Sequence, residues 1–119
     1  MDVDLELALF EADHGDPTVA LRTAEAAYAR RPSLYAEDVL AWANYRAGRT
    51  DEAAGLMERA LRLGTQDPLL FYHAGMIAAA RGDTDAASAH LQHALDLNPS
   101  FDFLHAPRAA ATLATLQGK

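Results

Sequence analysis

The sequence repeats itself at a fixed spacing, and this repeat constrains the fold more than any other feature of the chain. Five residues recur with the same identity 34 positions later. They are Gly48, Ala53, Ala60, Leu61 and Leu63, which return as Gly82, Ala87, Ala94, Leu95 and Leu97. One copy earlier, at a spacing of 33, the matching residues are Gly15, Ala20 and Ala27. Periods of this length are typical of stacked helical units, so we predict three copies at 1–33, 34–67 and 68–101 and a tail at 102–119.

Composition indicates what each copy is made of. The 119 residues include 27 Ala and 17 Leu but only 3 Val and 1 Ile. Alanine and leucine favour helix, and the β-branched residues that favour strands are scarce. The chain is therefore predicted to be all-α, with two helices in each copy and one in the tail. The expected helices are 2–13, 17–30, 34–47, 50–63, 68–81, 84–97 and 107–117.

The ends of these helices carry recognisable residues. Gly15, Gly48 and Gly82 are expected to end the first helix of each copy, because glycine readily takes the left-handed conformation that closes a helix. Short polar residues that can cap an N-terminus precede the helices that follow a turn. These predicted caps are Asp16, Thr50, Asp67 and Asp83.

The alanines recur on one helix face as well as in number. In each second helix two alanines stand seven residues apart, which places them two turns apart on the same side. The pairs are Ala20 and Ala27, Ala53 and Ala60, and Ala87 and Ala94. The first helices are expected to supply the facing contact through Leu7-Ala8, Leu40-Ala41 and Ala74-Gly75. Small residues on both sides predict closely packed helix pairs that stack on one another.

The period and the small residues together resemble the tetratricopeptide repeat family. The third copy matches the family pattern best, at Phe71, Ala74-Gly75, Gly82-Asp83, Ala87, Leu91, Ala94-Leu95 and Pro99. The second copy departs from it at Glu37, Asn44 and Thr65, and the first copy departs at Asp4 and Glu11. The resemblance covers residues 1–101. It implies a single α-solenoid, a right-handed superhelix of three helix-turn-helix repeats, here with a C-terminal capping helix at 102–119.

What the resemblance implies about function is a non-catalytic module that binds a peptide or helix of a partner protein in a concave groove lined by the first helices. The residues predicted to line this groove are Tyr35, Asp38, Trp42, Tyr45, Arg46, Leu69, Tyr72, His73 and Met76. Aromatic residues and methionine suit this role because they offer a large contact area and adapt to varied shapes. The alternative is that the same residues simply pack between neighbouring helices.

The first helix predicts a second kind of interaction. Its stretch from Leu5 to Phe10 is apolar on more than one face, whereas end units of repeat arrays normally have a polar outer face. Either the chain is the C-terminal part of a longer array, or this helix pairs with a second copy to form a homodimer. The residues expected to mediate self-association as a structural scaffold are Leu5, Leu9 and Phe10.

Charge and composition exclude other classes of function. The net charge of −7 opposes binding to nucleic acid or to an anionic membrane surface, so neither is predicted as a partner. No apolar run approaches the ~20 residues that a membrane span requires. The chain has no cysteine, which fits a reducing compartment, and a cytoplasmic location is expected.

Enzymatic and metal chemistry find little support in the sequence. No glycine-rich phosphate loop and no Gly-x-Ser-x-Gly motif is present. His90 and His93 are three residues apart on a helix, but they have no obvious third metal ligand and are predicted to be solvent-exposed. Glu11 and His14 form a single Glu-x-x-His, which di-metal bundles need twice. The sequence therefore predicts no enzyme, no metal and no cofactor.

Overall fold

The structure is a computed structural model that describes residues 3–118. These residues form seven α-helices and no strand, which confirms the predicted fold class. The helices are α1 Val3–His14, α2 Pro17–Arg30, α3 Leu34–Arg46, α4 Thr50–Leu61, α5 Pro68–Ala80, α6 Thr84–Leu97 and α7 His105–Leu116. The predicted boundaries lie within two residues of these, and Asp2, the expected start of the first helix, lies outside the described residues.

The helices belong to two compact units, one that ends at Leu63 and one that begins at Gly64. In the first unit α1 pairs with α2 and α3 pairs with α4, while α3 also packs against both α1 and α2. In the second unit α5 pairs with α6, and α7 packs mainly on α6 with a smaller contact to α5. The grouping of all three copies into a single array stays a prediction.

Small residues form the contacts between paired helices, as the spacing predicted. The six paired alanines of the second helices are all fully or almost fully buried. On the first helices, Ala8, Ala41 and Ala74 are buried as well. Leu7 is a correction, because the structure leaves it on the exposed side of α1. The phase of α1 is set by packing against both α2 and α3, which brings Leu5, Ala8 and Ala12 inward instead.

Most of the predicted helix ends are confirmed. The side chains of Asp16, Asp67 and Asp83 each accept a hydrogen bond from a backbone N–H in the first turn, at 2.8 to 3.1 Å. Thr50 is a correction, because it is the first helical residue of α4 and the preceding Arg49 occupies the cap position without a side-chain hydrogen bond.

Two of the three predicted turn glycines are left-handed. Gly48 and Gly82 have φ angles of 85° and 79°. Gly15 does not adopt a positive φ, so the predicted conformation is wrong there. A Cβ at Gly15 would overlap the carboxylate of Glu11, which accepts a hydrogen bond from the backbone N–H of Asp16 at 3.1 Å. The lack of a side chain at Gly15 leaves room for the Glu11 carboxylate in this position.

The two helical glycines predict opposite effects on stability. A Cβ at Gly75 would lie 2.6 Å from two side-chain carbons of the fully buried Leu91, whereas a Cβ at Gly55 would meet nothing within 4 Å. We expect Gly75→Ala to lower the free energy of unfolding by about 1–3 kcal/mol through overpacking. Gly55→Ala is the matched control and should raise it by about 0.5–1 kcal/mol, because alanine favours the helix. Urea unfolding followed by circular dichroism measures both, and equal effects would contradict the close α5–α6 contact.

Candidate functional site

One stripe of the predicted groove residues holds α1 against α3. The indole Nε1 of Trp42 donates to the Asp13 carboxylate at 2.9 Å, and the guanidinium Nε of Arg46 donates to the backbone oxygen of Ala12 at 2.8 Å. The second bond satisfies a carbonyl at the C-terminal end of α1, where a positive charge also interacts favourably with the helix dipole. Trp42 is only 2% exposed. For these residues the structure favours the packing alternative.

On the same face of α3, the predicted groove residues at the two ends of the helix are accessible. Tyr35, in the first turn, is 47% exposed. Tyr45, in the last turn, is partly exposed, and its ring lies 4.9 Å from the ring of Trp42. Asp38 lies between them and is buried. In the first unit the accessible groove candidates are therefore Tyr35, Tyr45 and the exposed part of Arg46.

In the second unit, too, some of the predicted groove residues are buried and others are accessible. Tyr72 is buried, with its ring stacked on His105 of α7 at 4.8 Å and close to Phe101 at 6.0 Å. His73 is fully buried. Leu69 and Met76, on α5, are partly exposed. The tail thus contacts Tyr72 of α5 through Phe101 and His105, and its role as a capping helix stays a prediction.

The predicted self-association residues are also split between core and surface. Leu5 is 5% exposed and belongs to the core, so it is a correction, and Leu9 is half-buried. Phe10 is 59% exposed, and its ring lies 5.2 Å from that of His14. Val3 and Leu7, which precede Phe10 by seven and three residues, are exposed on the same helix face. The exposed apolar stripe of α1 is therefore Val3, Leu7 and Phe10.

A partly buried carboxylate, which the sequence analysis noted only as a departure from the repeat pattern, links three helices. Glu37 of α3 accepts hydrogen bonds from the hydroxyl of Tyr28 on α2 at 3.2 Å and from Nε of Arg59 on α4 at 2.9 Å. The hydrogen bond that Arg59 donates to Glu37 raises the pKa of the Arg59 guanidinium above its usual value. A polar residue at a usually apolar repeat position was the signal for this network.

The two histidines of α6 pack on an aromatic ring. The Phe71 ring of α5 lies 4.3 Å edge-on from the His93 ring and 6.0 Å from the His90 ring. Both histidines are half-buried, so their prediction as solvent-exposed residues is wrong. Burial, and then the nearby charge of His93, lowers the pKa of His90 below its usual 6.5, while Asp83 opposes the shift.

Neither the His90 and His93 pair nor the Glu11 and His14 pair forms part of a larger cluster of metal ligands. Within residues 3–118 no group of three or more His, Cys, Asp or Glu side chains is arranged to hold a metal ion. The Glu11 carboxylate accepts the backbone hydrogen bond described above, and His14 contacts Phe10. Over the same residues, none of the helices has the length and apolar character that a bilayer crossing requires.

Comparison with known proteins identifies the fold but no sequence family. No protein-family model and no curated protein sequence matches the chain. The type III secretion translocator chaperone SycD of Yersinia enterocolitica matches with a TM-score of 0.74 and 19% identity, over 96% of this chain and 81% of that chain. PcrH, solved in complex with the chaperone binding region of PopD, matches with a TM-score of 0.73 and 18% identity, over 97% and 89%.

A third structure is SycD in complex with a peptide of the translocator YopD. It matches with a TM-score of 0.73 and 19% identity, over 96% of this chain and 89% of that chain. Identities this low show the fold alone. The chain therefore shares the helical-repeat fold of these secretion chaperones.

The position of His90 predicts a pH-dependent stability of the second unit. Because folding lowers the pKa of His90, the unfolded chain takes up the proton first as the pH falls through its usual 6.5. Stability is therefore lost below about pH 7, and His90→Gln should reduce this loss. Melting temperatures at about pH 7.5 and pH 6 measure the effect, with His14→Gln, an exposed histidine of the first unit, as the control. An identical pH dependence in wild type and His90→Gln would contradict the assignment.

Proposed function

We propose that this protein is a non-catalytic interaction module that binds a peptide segment of a partner protein, as a tetratricopeptide-type repeat array. The observation that carries the proposal is the shared fold, because PcrH was solved with the chaperone binding region of PopD and SycD with a peptide of the translocator YopD.

The accessible aromatic residues of α3 are the proposed contact surface in the first unit. Tyr35 and Tyr45 offer large, rigid side chains, and Arg46 adds a positive charge for an acidic group of the peptide. In the second unit Leu69 and Met76 offer an apolar surface on α5. Of the buried groove candidates, Trp42 fixes α3 to Asp13 of α1, and Tyr72 fixes α5 to His105 of α7.

A random peptide library displayed on phage tests the proposed surface. Binders selected on the wild-type protein should lose at least about tenfold in affinity, or about 1.4 kcal/mol, with Tyr35→Ala and Tyr45→Ala combined. Phe103→Ala removes a fully exposed aromatic elsewhere and is the matched control. Trp42 is the only tryptophan and lies against Tyr45, so its emission reports binding directly. Binders that respond to Phe103→Ala but not to the tyrosine variant would refute the assignment.

A second proposed function is self-association through α1. The exposed stripe of Val3, Leu7 and Phe10 favours it, because a contiguous apolar surface on a helix is covered in a stable assembly. We propose a second copy of the chain as the partner of this stripe.

Light scattering across a concentration series tests self-association. The wild-type protein should contain more than one chain per particle, and Leu7→Glu with Phe10→Glu should restore a monomer. Both side chains already face solvent in the isolated chain, so the substitutions should leave its fold intact. Phe103→Glu should leave the particle mass unchanged. A wild-type protein that stays monomeric at high concentration would exclude this function.

A further inference from the structure

The exposed apolar stripe of α1 is bordered on one side by arginines of α2 and of its C-terminal cap. Two neighbouring clefts between α1 and α2 contain stripe residues, Leu7 in one and Val3 in the other. Three arginines line the same clefts, and we call them the arginine edge: Arg22, Arg30 and Arg31. Among the described residues of these clefts Asp4 is the one carboxylate, and it pairs with Arg30. The arginine edge therefore has an excess of positive charge in a chain whose net charge is −7.

The opposite side of the stripe carries a carboxylate. Glu6 precedes Asp13 by seven residues, so the two lie on the same side of α1. Asp13 accepts a hydrogen bond from Trp42 of α3, which shows that this side is turned toward α3 and not toward α2. Glu6 is exposed and makes no ion pair with the described residues. Arg46 of α3 bonds to Ala12, about 9 Å from Glu6 along the helix.

The surface that runs from Glu6 across the stripe to the arginine edge is complementary to itself in one arrangement of two copies. Homodimers are normally two-fold symmetric, so each contact between copies occurs twice. When the two-fold axis runs along the stripe, the two α1 helices are parallel, and Glu6 of each copy lies opposite the arginine edge of the other. When the axis crosses the stripe at right angles, the helices are antiparallel, and arginine edge meets arginine edge. Charge complementarity favours the parallel arrangement, and like charges disfavour the antiparallel one.

We infer that two copies of this protein associate with their α1 helices parallel, stripe against stripe, and with Glu6 of each copy against the arginine edge of the other. This inference rests on the proposed self-association, and it adds the orientation of the two copies and the charges that select it. The stripe is buried between the copies, and the charged sides discriminate between the two orientations.

Charge reversal followed by sedimentation velocity of the full chain tests the orientation. One variant is Glu6→Lys and the other combines Arg22→Glu with Arg31→Glu, and all three side chains are exposed. In the parallel dimer each variant sets like charges against each other at two symmetric sites, so its dissociation constant should rise at least about tenfold. Glu58→Lys reverses an exposed carboxylate of α4 that pairs with Arg62, and this matched control should leave the dissociation constant unchanged.

An equimolar mixture of the two variants is the decisive sample. In the mixed parallel dimer every facing pair is again of opposite sign, so its dissociation constant should return to within about threefold of the wild-type value. Recovery also shows that both variants are folded, and circular dichroism checks each one alone.

The possible results separate the orientation from self-association itself. In an antiparallel dimer like charges already face each other, so each variant alone would bind as tightly as the wild type and the mixture would bind more tightly. That result, no response to any reversal, or no recovery in the mixture would overturn the parallel arrangement while a wild-type dimer upholds self-association. A wild-type protein that stays monomeric would overturn both.

Discussion

Close approach of paired helices at alanine and glycine is the constraint on which the structure depends. The alanines of α2, α4 and α6 are buried against the first helix of each pair, and at Gly75 there is no room even for a methyl group next to Leu91. Contacts between small residues bring the helix axes close together but leave little volume for large side chains between the helices. The large residues therefore pack at the margins of each pair, where Trp42 meets the end of α1 and Tyr72 meets α7.

Among the first helices of the three pairs, α3 has the most buried polar side chains. Its buried side includes Asp38 and Asn44, and Glu37 is bonded to residues of both neighbouring helices. Each polar group in a buried position must find a partner or border solvent. Glu37 finds two partners in Tyr28 and Arg59, and the Asn44 amide donates to the backbone oxygen of Leu40. One helix thus combines the packing of the first unit with its proposed contact surface.

The helices and their alanine contacts could be predicted from the sequence because they depend on local periodicity. The role of individual large residues could not, since a stripe at helical spacing looks the same whether it faces a groove or a neighbouring helix. Trp42 is buried because α1 happens to supply Asp13, which lies 29 residues earlier. Leu5 and Leu7 exchange roles because contacts with two helices set the phase of α1. The departure at Glu37 was visible in the sequence, but its role required the positions of α2 and α4.

Hydrogen–deuterium exchange with a library-selected peptide tests most directly whether α3 carries the peptide-binding surface. Binding is predicted to slow amide exchange in the segment 34–48, because a peptide seated on Tyr35 and Tyr45 stabilises α3 and its C-terminal turn. The rates in α6, in the other unit, serve as the internal reference. Protection confined to α2 or α4, with no change in 34–48, would contradict the proposed surface.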